Sequence, residues 1–320
     1  MAEVLTLEGV SKVFPTHKAV DQVSLRLEQG EFHALVGPSG CGKTTTLRMV
    51  AGFEQPTAGK ILLEGINVAG LPPYERNVST VFQNYALFPH LSVRENVEFG
   101  LKRKAYRGDL AAKVREVLEL VQLTGKESRY PAELSGGEKQ RTALARSLAL
   151  APAVLLLDEP LSALDPNLRK QVRMELRALQ RRVGITFLMV THDREEALTL
   201  ADRITVMNRG RVEQTATPHQ IYLNPATPFV ARFLGAMNWL DGIGLRPEAT
   251  RISQEPPRSG QIGFAAIVQS STFLGNCVHV EAEMPGGELI TAEVSRFASA
   301  YQKGDRVHVS WDPSDELRFE

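Results

Sequence analysis

Residues 37–44 read Gly-Pro-Ser-Gly-Cys-Gly-Lys-Thr, a G-x-x-x-x-G-K-[ST] loop between the apolar run Phe32 to Val36 and a helix-like segment starting near Lys43. In that context the pattern is suited to gripping the phosphates of ATP or GTP. Across Gly37, Pro38, Ser39, Gly40, Cys41 and Gly42 the glycines let the backbone curl so that successive N–H groups point inward at phosphate oxygens. The helix that follows, with Thr45 in its first turn, adds its positive N-terminal end. Lys43 supplies a point charge to the outer phosphates, and the Thr44 hydroxyl suits the oxygen shell of Mg²⁺. A second acidic element closes the run Val154-Leu155-Leu156-Leu157 with Asp158 and Glu159. Alone, two acids ending a strand make a solvated turn. Joined to a phosphate loop, Asp158 is expected beside Mg²⁺, usually through water, and Glu159 to orient and deprotonate the attacking water.

Such groups must be carried by a rigid frame. Short β-rich runs at Phe32 to Val36, Val78 to Phe82, Ala153 to Leu157, Ile185 to Val190 and Arg203 to Met207 alternate with helical patterns. Continuous apolar strands with helices between them predict an α/β fold whose sheet is covered on both faces, with ligands at the strand C-termini. Leu110, Val114, Val117, Leu118 and Val121 fall at helical spacing, as do Leu168, Val172, Leu176 and Leu179. After about Gly235 turn residues become dense and strands without long helices follow, at Ile262 to Val268, Val278 to Glu283, Leu289 to Val294 and Arg306 to Trp311. That texture predicts a small β-barrel-like second domain.

Composition narrows the classes. The 320 residues carry 37 Lys plus Arg against 37 Asp plus Glu. This balance argues against a nucleic-acid surface built on general positive charge. The longest apolar stretches are too short to cross a bilayer, and Met1 to Val10 lacks a signal-peptide core, so a soluble cytosolic chain is expected. Two cysteines, Cys41 and Cys277, offer no disulfide framework and suit a reducing compartment. Cys41 reads as a small space-filling residue.

Leu134-Ser135-Gly136-Gly137-Glu138-Lys139-Gln140-Arg141 introduces a helix, and Ser135-x-x-Glu138 has the spacing of a capping box. The segment resembles the signature sequence of ATP-binding cassette (ABC) ATPases, in which Ser135, Gly136 and Gly137 would grip the γ-phosphate of a nucleotide held by a partner subunit. Glu138 stands where that family more usually has glutamine. A carboxylate aimed at triphosphate would repel it, so Glu138 is expected to turn toward its own helix N-terminus. The resemblance extends to Gln83, in Val81-Phe82-Gln83-Asn84-Tyr85-Ala86-Leu87-Phe88-Pro89-His90, as the glutamine touching Mg²⁺ and the attacking water. It extends to Asp165 in Ser162-Ala163-Leu164-Asp165, which is also a natural N-cap before Pro166, and to His192 as the histidine contacting the γ-phosphate. Phe14 lies where the family places an aromatic on adenine; core packing is its rival role.

The resemblance covers Val4 to about Leu234. It implies an ABC nucleotide-binding domain over 1–235, with an antiparallel β subdomain near the N-terminus and a helical subdomain at about 86–147. An OB-like TOBE domain is implied over 236–320. One phosphate loop and one signature per chain imply a head-to-tail homodimer around two ATP and Mg²⁺. They also imply transmembrane permease subunits touching the surface around Gln83 to His90, an extracytoplasmic solute-binding protein acting indirectly, and a peripheral place on the cytoplasmic face of the inner membrane. Asn77 to Gln83 and Ile185 to Glu196 look most like the polyamine (spermidine/putrescine) importer branch. Iron(III), phosphonate and sugar branches share much of this, and a soluble ABC ATPase without permease is the different class kept open.

Overall fold

The computed structural model describes residues 2–297 and 300–319. The chain forms two compact units, Met1–His219 and Gln220–Glu320. In the first, ten strands run β1 (Glu3–Phe14), β2 (His17–Glu28), β3 (Phe32–Val36), β4 (Ala58–Leu63), β5 (Ile66–Asn67), β6 (Val78–Val81), β7 (Val154–Asp158), β8 (Thr186–Thr191), β9 (Arg203–Asn208) and β10 (Arg211–Ala216). Its helices are α1 (Lys43–Ala51), α2 (Val93–Arg103), α3 (Leu110–Leu120), α4 (Gly136–Leu148), α5 (Pro166–Val183) and α6 (Arg194–Leu200).

Six strands make the central sheet in the order β10-β9-β3-β8-β7-β6. From β9 to β6 neighbouring strands are parallel, and only the edge pair β9/β10 is antiparallel. Every residue of β3 and β8 is buried, as are Val154 to Leu157 of β7. This is why these strands read as unbroken apolar runs rather than alternating ones. A second, antiparallel sheet, β2-β1-β4-β5, packs its Leu5, Leu7, Val23, Leu25 and Leu27 into one core with Leu35, Leu47, Val50 and Leu156. Arg76, only 2% exposed, donates to the Met49 and Val50 carbonyls at 2.6 and 2.9 Å. Its cation thus satisfies orphan acceptors at the C-terminal end of α1, where the helix dipole favours positive charge.

Helix α7 (Pro218–Leu223) straddles the division, and the second unit continues with the short helix α8 (Pro228–Leu234) and strands β11 (Asn238–Leu240), β12 (Ile243–Leu245), β13 (Arg251–Ser253), β14 (Ile262–Phe273), β15 (Cys277–Glu283), β16 (Leu289–Ser295), β17 (Arg306–Trp311) and β18 (Leu317–Arg318). They form a three-stranded sheet, β11-β12-β18, and a five-stranded antiparallel sheet, β13-β17-β14-β15-β16. Leu240 and Leu245 share a core with Val268, Val280, Ile290, Val309 and Trp311. The boundary between units falls at 219/220 rather than 235/236. Buried Arg246 accounts for the difference: it donates to Ala231 O at 3.0 Å and Tyr222 O at 3.2 Å, tying 222–231 to the C-terminal strands.

Candidate active site

Four adjacent parallel strands deliver the expected chemistry to one edge of the central sheet. β3 ends at Val36, paired with Thr191 of β8; Asp158 pairs with Val190; and Val81 of β6 pairs with Leu157 of β7. Because the strands point the same way and are in near register, Gly37, Gln83, Asp158, Glu159 and His192 leave the sheet together. Strand C-termini are where open α/β sheets bind ligands.

The phosphate loop starts directly after β3. Gly37 has φ +154°, and a Cβ there would lie 2.2 Å from Met207 O; Gly42 has φ +104°, and its Cβ would lie 2.5 Å from Ala19 O. Only glycine fits both the conformation and the space. Lys43 is 6% exposed, and its Nζ donates to Gly37 O and Pro38 O at 2.8 and 2.9 Å, 3.6 Å from Cys41 Sγ. The cation is therefore held over the loop by its own carbonyls. Cys41 is 3% exposed and joins the N-terminal core, in keeping with the space-filling reading. Pro38, Ser39, Gly40 and Thr44 are exposed, and Thr45 is half-buried.

The acidic pair sits across from this loop. Burial raises the Asp158 pKa, the Glu159 carboxylate raises it further, and Arg48 opposes them. A carboxyl destabilised in this way fits a divalent cation, and the side-chain oxygens of Asp158, Thr44 and Gln83 are of the hard kind that Mg²⁺ takes. With its folded pKa above the unfolded one, Asp158 favours folding fully only below the unfolded value and costs stability once ionised. Asp158→Asn is accordingly expected to raise the melting midpoint of the nucleotide-free protein at pH 7 by roughly 1–3 °C, and by less near pH 4. Thermal melts at the two pH values, without magnesium, check this.

Glu159 adopts φ +45°, an uncommon conformation for a side chain of this kind. Its N–H donates to Val190 O at 3.0 Å, and its Oε1 lies 3.1 Å from His192 Nδ1. His192 remains 59% exposed, so the pair faces solvent on the histidine side. The turn bearing His192 is fixed from behind. Thr191 Oγ1 donates to buried Glu196 at 2.7 Å, Asp193 N donates to Thr191 Oγ1 at 3.0 Å, and Asp193 caps α6.

Ser135 caps α4, its Oγ accepting from Glu138 N at 3.3 Å, while Glu138 Oε2 accepts from Ser135 N at 2.8 Å. Glu138 thus turns back to its own helix end. There Lys126 pairs with it, and chiefly this contact holds its pKa at about 2. Gly136 and Gly137 form the first turn behind the cap. Asp165 caps α5 by accepting from Leu168 N at 3.0 Å, with Pro166 at the first helical position. Phe14 is half-buried against the N-terminal core. Its ring stacks on His17 at 5.3 Å and lies under Lys12 Nζ at 5.0 Å.

The loop carrying Gln83 has supports that sequence reading missed. Tyr85 and Ala86 adopt φ +62° and +45°, and Arg146 of α4 donates to both carbonyls, at 3.0 and 2.7 Å. Asn96, fully buried, accepts from Phe88 N at 2.9 Å and donates to the carbonyls of Phe88, Leu91 and Ser92. Neither residue carries a motif. Phe88 is half-buried, packed 4.4 Å from the Phe99 ring, with Ala86 and Pro89 exposed beside it. Phe88→Asp is expected to cut ATPase-driven transport at least about tenfold while leaving ATP affinity within about twofold. Nucleotide titration and transport measured on the same preparation check it, and a lost thermal transition would instead assign Phe88 to the core.

A loop that fits triphosphate, a carboxylate pair and a histidine on neighbouring strand ends, and a serine-capped helix with paired glycines together describe an ATP-binding cassette. Residues 20–162 match the ABC transporter family, and residues 243–319 match the TOBE domain. A spermidine/putrescine import ATP-binding protein PotA of Rubrobacter xylanophilus is 47% identical, over 96% of this chain and 91% of that one. One of the same name from Bacillus thuringiensis is 42% identical over 99% of both chains. The dimeric post-hydrolysis structure of the ATP-binding cassette MJ0796, bound to ADP and Pi, is 32% identical with a TM-score of 0.59, covering 67% of this chain and 98% of that one. The ADP conformation of the cassette MJ1267 gives 25% and 0.64, over 73% and 98%. The chain belongs to the ATP-binding proteins of ABC transporters, and it is an ATPase. No helix among the described residues is long and apolar enough to cross a membrane.

Proposed function

We propose that this chain is the ATP-hydrolysing subunit of a polyamine importer, working as a pair of identical copies beside transmembrane permease subunits at the cytoplasmic face of the membrane. The observation that carries the hydrolytic reading is the delivery of the Lys43 loop, Gln83, Asp158, Glu159 and His192 to one sheet edge, with Glu159 and His192 3.1 Å apart. Residues 37–45 would hold the triphosphate, with loop N–H groups, the α1 N-terminus and the Lys43 cation supplying the positive charge that its oxygens take. Thr44, Gln83 and Asp158 would hold Mg²⁺, which would supply positive charge to the phosphate oxygens. Glu159 accepts the proton of the attacking water, and His192, braced through Thr191 and Asp193, donates to the γ-phosphate. Phe14 takes the adenine face.

Ser135, Gly136 and Gly137 serve the site of the other copy. Glu138 does not compete there, because Lys126 and the Ser135 amide hold its carboxylate. The dimeric state of a similar cassette supports this pairing. Asp165 at the head of α5 faces the same seam. The 86–91 segment, braced by Arg146 and Asn96, is the docking surface for the permease, and a solute-binding protein outside the membrane presents the cargo.

Polyamine cargo rests on relatives 42–47% identical over nearly their whole length, all named as spermidine/putrescine import proteins. The test is to delete the coding sequence and follow uptake of radiolabelled spermidine, putrescine, ferric iron, phosphonate and maltose. Loss confined to the polyamines, restored by the intact chain and not by a Glu159→Gln variant, is expected. Unchanged polyamine uptake, with loss of another cargo, would move the protein to that branch.

A further inference from the structure

In the C-terminal unit, β15 and β16 pair antiparallel, with Cys277 opposite Ser295 and His279 opposite Glu293. One face of this ladder is apolar: Val280, Ala282, Ile290 and Ala292 are buried in the domain core, with Val278 and Val294 packed against it. Strand alternation puts Cys277, His279 and Glu293 on the opposite face. Cys277 is nevertheless only 7% exposed, and it is absent from that core. A thiol, an imidazole and a carboxylate thus converge on the side of the sheet that does not need them for packing.

Their ligand atoms all lie within 4.8 Å of one another, and His279 Nε2 is 3.5 Å from Glu293 Oε2. A tetrahedral ion with Zn–S near 2.3 Å and Zn–N or Zn–O near 2.0–2.2 Å needs its donors roughly 3.3–3.6 Å apart. One edge of that tetrahedron is already in place, and the others span no more than 4.8 Å. The imidazole also lines a cavity of about 240 Å³ shared with Asn238, Thr272, Glu281 and Thr291, so a fourth position faces space that water can fill. Sulfur and nitrogen donors beside one carboxylate select Zn²⁺ or Co²⁺ over Mg²⁺ or Ca²⁺, which take oxygen shells.

We propose that Cys277, His279 and Glu293 form a three-ligand site for a zinc-like divalent cation in the C-terminal domain, separate from the ATP-hydrolysing edge. The site has the open geometry of three protein ligands plus water rather than the closed four-ligand form. Its cation would clamp β15 to β16, and binding releases the thiol proton.

The test uses the full-length protein, stripped of metal by a chelator and titrated with Zn²⁺ against a chromophoric competitor, then with Co²⁺ followed by absorption. One equivalent per chain is expected, together with a thiolate-to-cobalt charge-transfer band in the near ultraviolet. Cys277→Ser should abolish that band. His279→Gln and Glu293→Gln should each weaken Zn²⁺ at least about tenfold, since even hydrogen-bond partners of ligands are worth about 10–100-fold. Basal ATPase activity, which involves none of these residues, reports that each variant is folded. No stoichiometric binding, or the same affinity and cobalt spectrum in Cys277→Ser as in the parent, would overturn the assignment.

Discussion

Glu159→Gln is expected to lower ATP turnover by about 10³-fold while ATP affinity stays within a few-fold. The substitution keeps the side-chain volume and the backbone contact from Glu159 N to Val190 O at 3.0 Å, so the loop should hold its shape. An amide cannot take the proton of the attacking water, and general-base catalysis is worth about 10²–10⁴-fold. Binding draws on the phosphate loop instead, so it should survive. In the proposed pair, ATP that is bound but not hydrolysed should also hold two copies of the variant together, as a dimer visible by light scattering. Turnover above a tenth of the parent rate would remove Glu159 from the base role.

The second large effect concerns Lys43. Lys43→Met retains an unbranched stem of similar length in a position only 6% exposed but gives up the Nζ donations to Gly37 O and Pro38 O, so the fold should persist with a somewhat lower melting midpoint. The charge is another matter. Hydrogen bonds to charged groups contribute about 1.5–3 kcal/mol each, so losing two to phosphate should weaken ATP binding by about 10²–10⁴-fold. Fluorescent-nucleotide titration reads this directly. Retained affinity would mean that the backbone amides alone hold the triphosphate.

These effects centre on residues that were legible because their motifs are local. The phosphate loop, the acids ending β7 and the capping box before α4 each need only a few consecutive residues, and the β3, β7 and β8 runs are apolar because both faces are covered. The long β1 and β2 strands were not legible from pattern. β1 buries Val4 to Leu7 in a row and shifts register against β2 between Leu7 and Val10, which breaks a two-residue period, and only the family resemblance pointed to that subdomain. Arg76, Arg146 and Asn96 were missed for a different reason. Each is a polar side chain turned inward to satisfy loop or helix-end carbonyls, distant in sequence for Arg76 and Arg146 and within eight residues for Asn96, and no recognised motif encodes that. The boundary at 219/220 depends likewise on Arg246 reaching back to Tyr222 and Ala231.

The whole account turns on hydrolytic centres assembled from two copies, and one complementation experiment tests it. Ser135→Arg and Glu159→Gln proteins, each inactive alone, are mixed under conditions that allow exchange. In a two-fold pair the mixed dimer has one intact site, and half the dimers are mixed, so ATPase activity should recover to about a quarter of the parent rate. Failure to rise above the separate variants, with exchange verified by a size tag, would contradict shared sites and place the complete centre within a single chain.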